Sequence, residues 1–370
     1  MDSPKTKRGE VADAVAGLPD DPSPRSSPAS PLSPFSGSSA KFPQTLEGFF
    51  FGGGGDGGGV NYGHFINLSG RSVPLLPGIK NIDLLSAHNG LLLFEHFRDR
   101  HRYEYIVCNP ATEQWVSVPS SGITPYPPVE GNYYSLTLAH NLLIFDPAVS
   151  SHFHLLQFRN LCWFETVQVQ AVRVFSSETG VWRDIKGEGE DKIQSKLGWA
   201  NVNGMLHIPV YKHYLQSQQK DIIAVVDLQG KKNMAIHWPD MNEFAAPVFI
   251  EDHRVHIIEL SIWVLEDYGA AQWVLKQSVS CLQLFGEISC GVDDLDVVAI
   301  HPDRNLVFFV HRYNWKLVSY DMDSEDEVYD LCTLGHGGGL IIPYVPYFAE
   351  VPVLSCGAST DFQEGQPRIL

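Results

Sequence analysis

The sequence is short of positive charge, of long apolar runs, of clustered cysteines and of helical periodicity, and each shortage removes a class of protein. Lys and Arg total 26 against 43 Asp and Glu, a formal net charge of −17. Nucleic-acid and anionic-membrane binders rest on clustered cations, so neither partner is expected. No uninterrupted apolar stretch reaches the ~18 residues of a membrane span. Residues 1–17 carry charges and small side chains but no apolar core of a secretory signal. The six cysteines, Cys108, Cys162, Cys281, Cys290, Cys332 and Cys356, include no C-x-x-C pair. That spacing suits buried thiols in a reducing compartment better than a zinc site or a disulfide framework. The expected location is intracellular, cytoplasmic or nuclear.

What is present divides unevenly along the 370 residues. Residues 22–40 are Pro, Ser and Ala with few bulky apolar side chains, a composition that cannot offset chain entropy by burial. Residues 1–43 are therefore expected to be disordered, with a domain over 44–355 and a flexible tail over 356–370. A glycine-rich patch at 52–59 has no Lys-Ser/Thr and no helix pattern after it, so it reads as a long hairpin loop rather than a phosphate cradle.

From residue 48 to about 353, short runs of Val, Ile, Leu, Phe, Tyr and Trp alternate with Gly, Pro, Asn and Asp clusters, the punctuation of an all-β protein. Candidate strands at 82–87, 90–96, 103–108 and 114–118 form a set of four, and similar sets recur every 45 to 60 residues. That is the rhythm of β-propeller blades. The fourth strand of a set often carries a tryptophan, as at Trp115, Trp182, Trp238 and Trp273. One indole per blade suits packing between neighbouring sheets. Segments 49–51 and 64–68, with 340–348, are expected to complete a sixth blade across the two ends. Six blades are the expected fold, with seven as the alternative.

Candidate chemistry is thin. His152 and His154 share a strand face and His253 and His256 form a near pair, but neither pair has a third ligand at a recognisable spacing. There is no G-x-S-x-G elbow. Glu188, Glu190 and Asp191, Asp293 and Asp294, and the run from Asp323 to Asp326 read as acidic loop tips rather than acid/base pairs. Asn67-Leu68-Ser69 fits the glycosylation pattern, which means nothing without a secretory signal. No catalytic residue, metal site or cofactor is expected.

Several segments carry a resemblance. Ile82-Asp83-Leu84-Leu85-Ser86-Ala87-His88-Asn89-Gly90-Leu91-Leu92-Leu93 is similar to the strand-turn-strand of plant F-box proteins, with Ala87-His88 in place of the usual Ser-Cys. Cys108-Asn109-Pro110-Ala111-Thr112-Glu113-Gln114-Trp115 resembles the same family's Asn-Pro hairpin. Asp146-Pro147, the segment from Phe175 to Trp182, Trp263 with Asp267 and Trp273, and His301-Pro302 resemble its grass members. The likeness runs over residues 42–355. It implies a β-propeller F-box-associated domain, non-enzymatic, whose loops recognise a target protein of unstated identity. It also implies a substrate receptor of a Skp–cullin–F-box ubiquitin ligase, with an N-terminal F-box holding the Skp-type adaptor.

The departure is at the front. Leu18-Pro19-Asp20-Asp21 resembles the opening of an F-box, but Pro22, Pro24, Pro28, Pro31 and Pro34 then forbid its helices. Suitable synonymous codons for residues 22–38, read two bases out of frame, give L-A-E-I-L-S-R-L-P-A-K-S-L-F-R-F, an ordinary first half of an F-box. The expectation is an F-box-like chain with a frameshifted F-box that does not hold the adaptor. A free-standing propeller scaffold, or a competitor of intact F-box paralogues, is the alternative, and a propeller enzyme is a third reading.

Overall fold

Antiparallel ladders between strands adjacent in sequence make up nearly all of the regular structure. The computed structural model describes residues 45–51, 64–68, 70, 82–99, 102–122, 135–163, 166–185, 192–193, 199–202, 204–211, 222–227, 232–237, 248–251, 254–291, 294–301, 303–324, 328–334 and 341–356. The Leu18-Pro19-Asp20-Asp21 turn, the proline-rich stretch, the glycine patch and the tail beyond 356 lie outside these residues.

In chain order the strands begin with β1 (Gly48–Phe51), β2 (His64–Asn67), β3 (Ile82–His88), β4 (Leu91–Asp99), β5 (Arg102–Asn109) and β6 (Gln114–Val118). Next come β7 (Ser135–Phe145), β8 (Phe153–Trp163), β9 (Thr166–Ser176), β10 (Val181–Ile185), β11 (Lys192–Ile193) and β12 (Ala200–Val202). They continue with β13 (Met205–Tyr211), β14 (Ile222–Val226), β15 (Lys232–His237), β16 (Val248–Glu251), β17 (Arg254–Ile257), β18 (Glu259–Asp267) and β19 (Gln272–Ser280). The last are β20 (Cys290–Gly291), β21 (Leu295–Ile300), β22 (Leu306–His311), β23 (Lys316–Asp321), β24 (Val328–Thr333), β25 (Ile341–Tyr344) and β26 (Ser355–Cys356).

Among the described residues these strands form five blades, not the expected six or the alternative seven. Three are the sheets β3–β6, β7–β10 and β21–β24; a fourth is β13-β14-β15 with β11 and β12 on the outer edge of β13. The fifth spans residues 248–291, where β16-β17-β20 and the hairpin β18-β19 are separate sheets. The two ends do pair as expected, Gly48 opposite Tyr344 and Phe51 opposite Ile341, but with β2 they make only a three-stranded sheet. After β25 the chain carries Pro346 and Pro352, which have no N–H to donate to a ladder. It leaves as irregular backbone and returns as β26 on the edge of β6, Ser355 opposite Trp115.

The turns explain the registers. Asn89 (φ 45°) and Gly90 (φ 84°) are both left-handed, the paired conformation of a tight two-residue hairpin. Four later hairpins use longer turns closed by one left-handed residue just before the next strand. Glu113 (φ 56°), Gly180 (72°), Ala271 (53°) and Trp315 (53°) hold that place before β6, β10, β19 and β23. The recurrence in four blades, once with glycine and three times without, is a backbone signature that the residue types conceal.

The one helix among the described residues, α1 (Cys281–Phe285), was not expected from the sequence. It is a single turn, too short for an apolar period to show. Its N-cap, Ser280, accepts the backbone N–H of Gln283 at 3.1 Å, and Gly286 closes it in the left-handed conformation. No described helix is long and apolar enough to cross a membrane.

The strands fall into two compact units. One holds β1, β2 and β16–β25; the other holds β3–β15 and β26. In the first, Phe49, Phe51, Phe308, Val310 and Leu317 form one core cluster, and Val279, Leu284, Val307, Phe309 and Tyr320 another. In the second, Leu91, Leu93, Tyr105, Val107, Phe145, Phe153 and Phe175 pack with Val351 and Leu354. Alternation of inward and outward positions places these side chains on shared faces.

Candidate functional site

Four segments far apart in sequence meet around residues 347–354, and the turn motifs make most of the contacts. Asn109 is fully buried. Its Nδ2 donates to the carbonyls of Tyr347 (2.9 Å) and Ala349 (3.3 Å), while its Oδ1 accepts the N–H of Ala111 (3.1 Å) and shapes the turn around Pro110. Gln114, also buried, donates to the carbonyl of Leu354 (3.3 Å) and accepts the N–H of Val351 (3.0 Å). The Asn-Pro hairpin thus latches a segment some 240 residues downstream. Gly90 abuts the same segment: a Cβ there would lie 2.4 Å from the backbone nitrogen of Tyr347. Tyr347 itself meets Phe145 edge-on at 5.4 Å.

The first hairpin is pinned from another side. Nδ2 of Asn89 donates to the carbonyl of Phe145 at 2.7 Å, and Nδ1 of His88 accepts the N–H of Phe145 at 3.0 Å. Burial pulls the His88 imidazole below its ordinary pKa, which keeps that nitrogen free to accept. Asp146, before Pro147, caps its own turn by accepting the N–H of Ala148 at 3.0 Å.

Trp182 packs against a neighbouring sheet, as expected of the blade tryptophans. Trp182 on β10 packs on Phe175 (5.5 Å between ring centres) and Tyr105 (6.1 Å), and its indole N–H donates to the carbonyl of Pro119 at 2.8 Å. Trp115, Trp263 and Trp273 are half-buried in β6, β18 and β19. Asp267 accepts the N–H of Ala270 at 2.9 Å in the turn between the last two. His301 is buried, with Nδ1 accepting the N–H of Asp303 at 3.1 Å; Pro302 lies outside the described residues. These motif residues serve backbone geometry, and they do not converge on one reactive centre.

Among the described residues the histidine and acidic candidates stay apart. His152 and His154 are half-buried and join no third ligand among the described residues. Asp323 accepts Nδ2 of Asn305 at 2.7 Å as part of an exposed turn. His253, Glu188, Glu190, Asp191, Asp293 and Asp326 lie outside the described residues. The thiol of Cys108 is fully buried and that of Cys332 half-buried; burial pushes the first up strongly and the second to about 11, so neither is a nucleophile.

Glu95, by contrast, was not singled out in the sequence. It is 5% exposed on β4, directly opposite Asp83 on β3, and its Oε1 has no hydrogen-bond partner among the described residues. Burial, then the facing Asp83 charge, push its pKa from 4.5 up to about 7. A proton held more tightly in the folded state stabilises the fold at low pH, and the benefit is lost as pH rises through 7. The span corresponds to about 3 kcal/mol. Glu95→Gln is therefore expected to melt well above the parent near pH 8 and close to it near pH 4. Equal shifts at both pH values would disprove the assignment.

A second group was also missed. Glu287, Cys290 and His311 bring one ligand atom each within 4.8 Å of one another, and Cys281 shares an S–H hydrogen bond with Cys290. Cys281 and Cys290 lie nine positions apart and His311 twenty-one further on, spacings that match no ligand motif.

The sequence model of the family described as "F-box protein At3g26010-like, beta-propeller" matches residues 72–332. The chain belongs to that family. It is a β-propeller of F-box protein type, and the match takes in four of the five blades completely and the last, β21–β24, up to its final residue. A propeller of an F-box protein is a protein-interaction domain. No individually curated protein matches the chain.

Proposed function

We propose that this F-box-type propeller recognises a protein target through its blade loops, without catalysis, and does not engage a Skp-type adaptor. The observation that carries the reading is the family match over 72–332 following a segment in which five prolines interrupt residues 22–34. An adaptor-binding F-box presents an apolar helical face, and that proline spacing argues against one. Exposed apolar side chains support the recognition role. Ile288 and Tyr313 are 77% and 78% exposed, and Val297 and Ile300 on β21 are close to 60%. The net charge of −17 favours a target with a basic surface over nucleic acid or anionic lipid. An intracellular site of action, in cytoplasm or nucleus, fits the spacing of the thiols.

The test is co-purification of the full chain with a Skp-type adaptor, beside an intact F-box protein as positive control. The control is expected to form a complex and this chain none. A stable complex at micromolar concentration overturns the adaptor half of the proposal. Failure to capture any protein partner under conditions where the control captures its own overturns the other half.

A further inference from the structure

We propose that Glu287, Cys290 and His311, with Cys281 beside Cys290, form a binding site for a divalent cation of the zinc class. Three elements build it. Cys281 opens α1, Glu287 follows the Gly286 cap, Cys290 lies in β20, and His311 ends β22. Cys281, Cys290 and His311 are 0%, 2% and 1% exposed, whereas the Glu287 side chain is 41% exposed and leaves a route for an ion.

His311 is the decisive residue. Nε2 faces a Glu287 oxygen at 3.8 Å, beyond hydrogen-bond reach, and Nδ1 is buried with no partner among the described residues. A neutral imidazole has one donor and one acceptor to satisfy, and burial without either is costly. Its ring stacks on Phe285, 4.7 Å between centres and 23° apart. Two ligands on one tetrahedral ion with bonds of about 2.1 Å lie about 3.4 Å apart, close to the His311–Glu287 gap.

Charge points the same way. Among the described residues the carboxylates of Glu287 and Asp294 bear on Cys290, and the neighbouring sulfur belongs to Cys281. A cation is the missing partner. One sulfur, one imidazole nitrogen and one carboxylate oxygen, with a second sulfur alongside, form a mixed set that suits Zn²⁺ better than Ca²⁺ or Mg²⁺, which take oxygen. On binding, the ion displaces the thiol proton of Cys290 to solvent, and no electron is transferred. The ion would tie the α1–β20 loop to the end of β22.

The test uses the full chain, reduced and stripped of metal, titrated with Co²⁺ as an optical probe. One equivalent is expected to bind, with thiolate-to-cobalt charge-transfer absorption and the intense visible bands of a tetrahedral site, both abolished by Zn²⁺. Cys290→Ser and His311→Gln are each expected to lose the charge-transfer band or bind more than about tenfold more weakly. Cys332→Ser should match the parent. If either site variant does not fold, the parent decides alone: one equivalent of Co²⁺ with thiolate-to-cobalt charge transfer, displaced by Zn²⁺, is the expected result. Absence of stoichiometric binding by the folded parent, or unaltered bands in both variants, would overturn the site.

Discussion

Removal of residues 338–370 is expected to leave a chain recovered only as aggregate. In the first unit the deletion takes β25, and with it Ile342 and Tyr344, which are 5% and 1% exposed. Tyr344 packs edge-on against Phe50 at 5.4 Å, and Ile341 and Val345 cover the core that contains Phe49 and Phe51. In the second unit it takes Val351 and Leu354, 1% and 3% exposed, together with the half-buried Tyr347 and Val353. Four fully buried side chains at ~1.5–3 kcal/mol each amount to about 6–12 kcal/mol, the size of a typical domain's whole stability. The deletion also bares the ladder edge of β1, a Gly-Phe-Phe-Phe strand whose open N–H and C=O groups invite pairing with other chains. Removing only residues 359–370, which supply none of these contacts, is expected to leave melting unchanged. The measurement is solubility and cooperativity of melting for the two truncations. A soluble fragment ending at Leu334 that melts cooperatively would refute the assignment of stability to this segment.

The second large effect is expected at Asn109. Asn109→Ala leaves the carbonyls of Tyr347 and Ala349 and the N–H of Ala111 without their partner. Each orphaned buried group costs about 1–3 kcal/mol; because Ala349 is exposed and water reaches it, the sum is roughly 3–5 kcal/mol. Asn109→Asp keeps the acceptor for Ala111 but replaces the donor with a charge facing two carbonyl oxygens, and it should be at least as harmful. Urea denaturation gives the magnitude. Hydrogen exchange gives the location, since the amides of Val351 and Leu354 should lose protection before the strands of the β7–β10 sheet. A variant Asn109→Asp as stable as the parent would show that the latch is not what the side chain supplies.

These two predictions and the Glu95 and His311 assignments concern different scales of the same problem. A hairpin motif is local, and its residue types follow from backbone needs a few positions away. Asn89-Gly90 and Asn109-Pro110 mark turns between strands, whatever lies beyond them. Those features were readable, as were the all-β character, the recurring four-strand sets and the pairing of segment 49–51 with the strand after 340.

The blade number was not readable, because a strand counts toward a blade only if it finds a partner edge. Segments 49–51 and 64–68 were expected to be strands and form them over 48–51 and 64–67, yet among the described residues only three strands gather there. The residues after Tyr344 give their hydrogen bonds to Asn109, Gln114 and Trp115 instead. The left-handed residues Glu113, Ala271 and Trp315 were invisible for a related reason: the turn imposes their conformation and their side chains do not advertise it.

Side-chain convergence was the least legible of all. Glu95 reads as an ordinary charge in a strand until the register sets it against Asp83 in a buried position. Cys281, Cys290 and His311 lie on a helix, a two-residue strand and the end of another sheet, so no spacing rule links them. Composition and period decide which segments become strands and where the chain turns, because those choices depend on neighbours within a few residues. Which strand edges meet, and which buried polar groups are left facing one another, depends on contacts between residues tens to hundreds of positions apart, and only the tertiary structure decides them.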